Sequence, residues 1–186
     1  ARVQDALGQQ AAPMRLQAVS SQRMLTRYDP WVNMLRGTAA CFAGAVGGAD
    51  IISIHPFNSA LGQPEELGRR VARNTQIIAM EESGLARVAD PSGGAWFSET
   101  LAEDLAQAAW GIFQSIEAHE GYGHALLAGT VQDAVTASRA ALEKAVAHRK
   151  VAITGVSEFP QLGGVDAPVT DPTPVAGKDG VSDAGL

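Results

Sequence analysis

Two short segments of the chain have the apolar patterns of β-strands. Residues 14–19, MRLQAV, alternate apolar and polar side chains, which predicts a strand with one buried face. Residues 49–57 contain the run IISI, which is apolar on both faces and typical of a buried parallel strand. The turn-rich residues 87–94 leave room for a short strand, and residues 151–153, VAI, predict a short final one.

Two helices are predicted around these strands. The first begins at Asp29-Pro30, with Asp as the N-cap and Pro in the first helical position, and stops at Gly47-Gly48. The second opens at Pro64 and has Gly84 as its C-terminal cap. Its apolar stripe consists of Leu67, Val71, Thr75 and Ile78.

Two more helices follow in the second half of the chain. A capping box at Thr100–Glu103 predicts the start of a long amphipathic helix that ends near His119. Another helix is expected over residues 130–148, and residues 161–186, rich in Gly, Pro, Asp and Val without a period, predict an extended or disordered tail.

Alternating strands and helices predict an α/β fold with parallel strands joined by right-handed crossovers. Two or three strands cannot close an eight-stranded barrel. The chain is therefore either a small open sheet or part of a barrel whose other strands lie elsewhere.

Composition narrows the class of protein. Of the 186 residues, 46% are hydrophobic and 18% charged, as in globular domains. The net charge of −6 disfavours nucleic acid and anionic membranes as partners. Cys41 is the single cysteine, so no internal disulfide forms and we expect a reduced, cytoplasmic protein. No apolar stretch approaches the roughly 20 residues of a membrane span.

The residues that could carry chemistry are few. His55 ends the best predicted strand, where barrel enzymes place their active sites, although a histidine that only hydrogen-bonds a neighbour is the favoured interpretation. His119 and His124 flank a Gly-rich turn and are expected to cap helix ends in solvent. Without H-x-x-x-H spacing or a cysteine cluster we predict no metal site, and no nucleophile–base set predicts a catalytic residue.

Arg15 is the one candidate for an anion. Arginine can clamp a phosphate through paired hydrogen bonds, and an ordinary surface ion pair is the equal alternative. Gly93-Gly94 matches neither the P-loop pattern nor G-x-G-x-x-G, which favours a structural turn.

Four segments in conserved order resemble the methylmalonyl-CoA mutase family. Residues 25–36, LTRYDPWVNMLR, are similar to its LT-x-x-DPY-x-N-x-x-R segment, and residues 72–84 are similar to its ARNTQ…EESG run. Residues 88–97 resemble VADP-x-GG-x-Y-x, and residues 153–156, ITGV, resemble a segment near the end of the substrate domain.

This resemblance implies the C-terminal portion of a (β/α)8 TIM-type barrel followed by helices. Residues 1–95 would form the last βα units, residues 96–160 a helical post-barrel segment, and residues 161–186 the tail. It also implies isomerisation of a CoA thioester with adenosylcobalamin, which family members carry on a separate domain with a D-x-H-x-x-G motif. That motif does not occur in these 186 residues.

Three positions depart from the catalytic members of the family. Their R-x-H is matched by Arg15 and Gln17, their Gln before the DPY-like segment by Tyr28, and the acidic residue of their D-E-A-L loop by Ser59. These departures, with residues 55–62, HPFNSALG, are most similar to the small, non-catalytic subunits within the family.

We therefore expect a component of an adenosylcobalamin-dependent acyl-CoA mutase, as the non-catalytic small subunit or a fragment of it, inactive in isolation. The alternative is a fragment of a catalytic substrate domain. The expected partners are a catalytic mutase subunit or the remaining barrel segment, with acyl-CoA in the assembly. Arg15 and Gln17 are the expected substrate-binding residues, and no cofactor is expected on this chain alone.

Overall fold

The computed structural model describes residues 2–10, 14–165 and 167–171. The chain divides into two compact units, one of Ala1–Pro91 with Gln161–Leu186 and one of Ser92–Pro160. No described helix is both long enough and apolar enough to cross a membrane.

The first unit contains four strands and three α-helices. In chain order these are α1 (Arg2–Ala6), β1 (Gln17–Val19), α2 (Val32–Val46), β2 (Ile51–Ser53), β3 (Gln63–Pro64), α3 (Glu66–Ile77) and β4 (Val169–Asp171). A 3-10 turn at Gln22–Met24, a π-helical turn at Ile78–Glu82 and a second 3-10 turn at Leu85–Arg87 complete it. This confirms the α/β class.

β1 and β2 form a parallel pair, as predicted, with Ala18 opposite Ile52. α2 packs on this pair at Gly44, where an added Cβ would lie 3.4 Å from Ile52 Cδ1 and 3.5 Å from the Cβ of Ala18. On the other face Val19 and Ile51 are 56% and 51% exposed. One face of the sheet is therefore covered by a helix, while the described residues leave the apolar side chains of the other in solvent.

Both strands are shorter than predicted, and a side chain adds a hydrogen bond at each end of the pair. At the start, the Leu16 amide donates to Asp50 Oδ2 at 2.8 Å. At the other end, the His55 amide donates to Ser20 Oγ instead of to a backbone carbonyl.

The start of α2 differs from the prediction. Asp29 has a φ of 46°, in the left-handed region, and its backbone carbonyl accepts from the Val32 amide. Trp31 stands at the N-cap without a side-chain hydrogen bond, so the proposed Asp29 cap is wrong. The end of the helix at Gly47 is confirmed.

α3 is buried along a different face from the predicted stripe. Its buried residues are Gly68 and Ala72, whereas Leu67 is 43% exposed. The helix continues into the π-helical turn, and Gly84 ends it with a φ of 67°, as its predicted role as a cap requires.

β4 pairs antiparallel with β3, so residues 167–171 lie within the first unit. Ala167 is buried, with 3% of its surface exposed. Part of the predicted tail is therefore an ordered strand, and its residues 166 and 172–186 lie outside the described residues.

The second unit is helical, with α4 (Trp96–Glu117), α5 (Tyr122–Leu127) and α6 (Thr130–Ala147). α5 contacts both longer helices and buries Ala125 to 1% exposure. The sequence suggested only a Gly-rich turn there; Gly121 and Gly129, with φ of 94° and 83°, begin α5 and α6.

The predicted capping box and the predicted short final strand are wrong, and the possible strand within residues 87–94 is not formed. α4 begins at Trp96, ahead of the proposed capping box, and Glu99 Oε1 accepts from the Gly94 amide at 3.2 Å. Residues 151–153 lie outside any strand, beside an isolated bridge between Thr154 and Glu158, and residues 87–94 form turns.

Candidate functional site

The segment that follows β2, residues 54–62 and here called the β2 loop, occupies the carboxyl end of the parallel pair. Phe57 is 3% exposed and Asn58 is fully buried at 0%. Polar groups in a buried loop need hydrogen-bond partners within the protein. The hydrogen bonds that the β2 loop already makes therefore determine which of its polar side chains could bind a ligand.

His55 is paired with a serine from the end of the neighbouring strand. Ser20 Oγ accepts from the His55 amide at 2.8 Å and lies 3.1 Å from Nδ1 of the same residue. The hydroxyl can donate to Nδ1 in the tautomer that carries its proton on Nε2. This confirms the interpretation of His55 as a strand-end histidine bonded to a neighbour.

Asn33 ties the β2 loop to α2. Its amide nitrogen donates to the carbonyls of Thr26 and Phe57, both at 2.9 Å. Its Oδ1 accepts from the Thr26 amide at 3.0 Å and from Arg36 Nη1 at 2.8 Å. Since Asn33 is 1% exposed, it joins the segment before α2, the helix itself and the β2 loop through one buried amide.

Arg36 adds a cation to this network. Its guanidinium also donates to Thr26 Oγ1 at 3.0 Å. Burial lowers the pKa of Arg36 from its ordinary value, and the nearby Asp29 carboxylate opposes that shift. Residues 26, 29, 33 and 36 of the LT…DP…N…R segment thus come together as a structural cluster.

Two further side chains of the β2 loop bond within the first unit. Ser59 Oγ donates to the Pro56 carbonyl at 2.8 Å. The Asn58 amide nitrogen donates to the Pro168 carbonyl at 2.7 Å, beside β4. Trp31 stacks on Phe57 with ring centroids 5.2 Å apart, so an aromatic ring covers the apolar side chain of the loop.

The two predicted substrate-binding residues lie away from this loop. Arg15 and Gln17 are both exposed, and Gln17 is the first residue of β1 whereas Ser20 follows its last. Three residues of strand span about 7–10 Å, so the predicted residues and the β2 loop stand at opposite ends of β1. Tyr28, the third position that departs from the catalytic members, is 71% exposed to solvent.

The remaining candidates offer little chemistry. His119 and His124 direct Nδ1 to the backbone carbonyl four residues earlier, at exposed positions. Cys41 is 2% exposed, and its burial raises the pKa of the thiol. Among the described residues no group of three or more His, Cys, Asp or Glu could hold a metal ion.

The sequence did not identify Asn33 and Asn58 as the polar centres of this region. Asn33 lies three residues before Arg36 on a predicted helix, and this spacing places both side chains on one face. The spacing could therefore have predicted their contact. Asn58 had no such signal, because its partner Pro168 is 110 residues away.

Comparison with known proteins gives a consistent result over most of the chain. The family described as methylmalonyl-CoA mutase matches residues 3–178. A methylmalonyl-CoA mutase small subunit from Streptomyces virginiae is 49% identical over 183 residues, covering 97% of this chain and 29% of that protein.

Two other relatives extend the comparison. The methylmalonyl-CoA mutase small subunit of Propionibacterium freudenreichii subsp. shermanii is 45% identical over 150 residues, 80% of this chain and 24% of that protein. A methylmalonyl-CoA mutase from Cereibacter sphaeroides is 32% identical over 146 residues, 78% of this chain and 21% of that protein. The chain thus spans less than a third of each relative's length. It belongs to the methylmalonyl-CoA mutase family.

Proposed function

We propose that this chain is part of a non-catalytic small subunit of an adenosylcobalamin-dependent acyl-CoA mutase. In this role it supports the isomerisation of methylmalonyl-CoA and succinyl-CoA by pairing with a catalytic subunit. Two of the relatives described above carry the name small subunit, at 49% and 45% identity.

The observation that carries the proposal is the internal pairing of the β2 loop. His55 is bonded to Ser20, Ser59 to Pro56 and Asn58 to Pro168. A loop that receives a ligand needs polar groups free to meet it, because each exchanged hydrogen bond must be replaced. These pairings favour a structural role for the loop.

The bare face of the β1–β2 pair supports a place in a (β/α)8 barrel. In such a barrel the helices lie outside and the opposite strand face lines the interior. α2 covers one face here, while Val19 and Ile51 are exposed on the other. We propose that the remaining strands of the barrel, from a longer chain or from a partner, close over this face.

Arg15 and Gln17 keep their proposed role at the substrate. Both are exposed at the amino end of β1, and the Arg15 side chain makes no hydrogen bond or ion pair within the described part of the chain. A guanidinium in that state is free to bind a phosphate of CoA.

The residues of this chain do not fit adenosylcobalamin. Ser59, at the position of the family's acidic residue, already donates its hydroxyl to Pro56 and offers no carboxylate to a ribose. We therefore assign no cofactor to this chain, and the cobalamin of the proposed assembly belongs to the catalytic partner.

The alternative, a fragment of a catalytic mutase, has one observation in its favour. The similarity to the Cereibacter sphaeroides protein, named methylmalonyl-CoA mutase without the words small subunit, covers 78% of the chain at 32% identity. The two proposals differ in what the natural protein does without a partner.

Expression of the natural protein that contains this chain, alone and with a catalytic mutase subunit of the same organism, tests the proposal. Alone, it should bind no adenosylcobalamin in calorimetry and turn over no methylmalonyl-CoA. Together, the two proteins should copurify in equal amounts with isomerase activity. Cobalamin binding or turnover by the protein alone would establish the alternative.

A pair of matched variants then tests the bare face. Val19→Asp places a charge on a surface that the proposed barrel buries, and should reduce recovery of the complex at least tenfold, since an unpaired buried charge is costly. Val88→Asp, at a similarly exposed loop position (58% against 56%), should leave recovery unchanged. Equal recovery of both variants would contradict burial of this face.

A further inference from the structure

The segment formed by Val165 and residues 167–171, here called the strap, crosses the first unit beside the β2 loop. Three separate contacts hold it. β4 pairs with β3, Trp31 Nε1 donates to the Val165 carbonyl at 3.0 Å, and Asn58 donates to the Pro168 carbonyl at 2.7 Å. Ala167, between the last two, is 3% exposed.

Of these contacts, the one from Asn58 is the most deeply buried. Asn58 is 0% exposed, whereas the Trp31 bond lies at an exposed position. The Pro168 carbonyl can only accept, so the amide nitrogen must face it and the orientation of the side chain is fixed.

This orientation of the Asn58 side chain leaves its amide oxygen without a hydrogen bond within the described part of the chain. Asn58 Oδ1 is buried and has no hydrogen-bond partner among the described residues. An unpaired buried acceptor is unfavourable, and buried polar atoms in proteins are rarely left so. The group is tolerated because its nitrogen holds the strap and because Gly68 leaves room, since a Cβ at that position would overlap Oδ1.

We propose that Asn58 is a latch that seats the strap over the β2 loop, so that the carboxyl end of β2 is closed by Val165 and residues 167–171 of the same chain. The latch requires a donor at position 58, a residue without a Cβ at position 68 and the carbonyl of residue 168. This inference goes beyond the proposed subunit role and does not depend on it.

Asn58→Asp is the sharpest test, because it keeps the shape and removes the donor. A carboxylate would face the Pro168 carbonyl with two acceptors and be repelled. Hydrogen–deuterium exchange of the natural protein that contains this chain should show protection of the strap peptide falling at least tenfold. Peptides over α2 and the β1–β2 pair should stay within about twofold of the unsubstituted protein on the same scale.

Ser59→Ala is the matched control. Among the described residues the Ser59 hydroxyl bonds within the loop, to Pro56, so its loss should leave the strap protected. Unchanged strap protection in Asn58→Asp would overturn the latch. An equal loss of protection across the whole first unit, in a variant that still has the helical circular dichroism of the unsubstituted protein, would also overturn it, because the contact would then support the core and not the strap.

Trp31→Phe keeps the proposal testable if Asn58→Asp fails to fold. Phenylalanine can retain the stacking on Phe57 but loses the donor to the Val165 carbonyl. Faster exchange confined to the strap would support a separately docked segment held by these side-chain donors. Unchanged exchange in the strap would contradict it.

Discussion

At the scale of single residues, buried amides organise the first unit. Asn33 and Asn58 are the largest side chains of those exposed by less than 2%, together with Cys41. The amide nitrogen of Asn33 donates to the backbone of two other segments, and that of Asn58 donates to the backbone of the segment before β4. These bonds connect segments that the two short strands do not join.

Removal of the Asn33 amide should be among the most damaging single changes. Asn33→Ala leaves the buried Thr26 and Phe57 carbonyls without the amide that donates to them, and we expect a loss of about 2–4 kcal/mol of unfolding free energy. Urea unfolding of the natural protein that contains this chain measures it. Thr38→Ala, an exposed position on the same helix, should change stability by less than about 0.5 kcal/mol. Similar midpoints for both variants would contradict this role.

Arg15 should act at the ligand. In the proposed assembly, Arg15→Ala removes paired charge-assisted hydrogen bonds to a CoA phosphate and should weaken CoA binding about tenfold or more, leaving assembly intact. Calorimetry with CoA and sedimentation of the complex separate the two effects. Arg70→Ala, another exposed arginine, is the control. Weakened assembly with or without CoA would instead make Arg15 an interface residue, and no effect would make it an ordinary surface residue.

At the scale of elements, the sequence correctly predicted the helices and strands whose formation depends on local apolar spacing and on glycine. The parallel strands, the stop of α2 at Gly47, and α4 and α6 follow from apolar spacing and glycine. The errors arise where tertiary contacts override the pattern. α3 turns Gly68 rather than Leu67 inward because Asn58 occupies the space above it, and β4 forms only because β3 offers an edge. Among the site residues, His55 was interpreted correctly, while the long-range partner of Asn58 left no trace in the sequence.

The contact of α2 with the sheet gives a prediction at this scale. Gly44→Ala adds a Cβ at ordinary van der Waals distance from Ile52 and should stabilise the chain by about 0.5–1 kcal/mol through helix propensity. Gly44→Leu should instead destabilise it by about 1–3 kcal/mol, because the longer side chain must push α2 off the strands. Thermal unfolding of both variants, with Gly37→Ala as a control at which an added Cβ meets nothing within 4 Å, measures the difference. A stable leucine variant would show that α2 is loosely seated.

At the scale of the whole molecule, the chain leaves much apolar surface in solvent. Val19 and Ile51 on the sheet, and Leu105 and Ile112 on α4, are all more than half exposed. Full burial of such a side chain contributes about 1.5–3 kcal/mol, so this surface favours association.

The isolated chain should therefore bind the dye ANS and self-associate at micromolar concentration. Paired substitutions Val19→Lys and Ile51→Lys should reduce both effects, since they replace apolar area on the bare sheet face with charge. Fluorescence titration and analytical ultracentrifugation measure the two. A dye-silent monomer with one cooperative unfolding transition would contradict an incomplete core.

The pairing of Gln63 with Asp171 also sets an order of events during synthesis. The two residues are 108 positions apart, and chains grow at about 5–20 residues per second, so β3 waits about 5–20 s on the ribosome for its partner strand. During that time β1, α2 and β2 can already pair, because their contacts span far shorter loops. Until β4 is made, the β3 edge of the nascent first unit is open to chaperones and to pairing with the wrong strand.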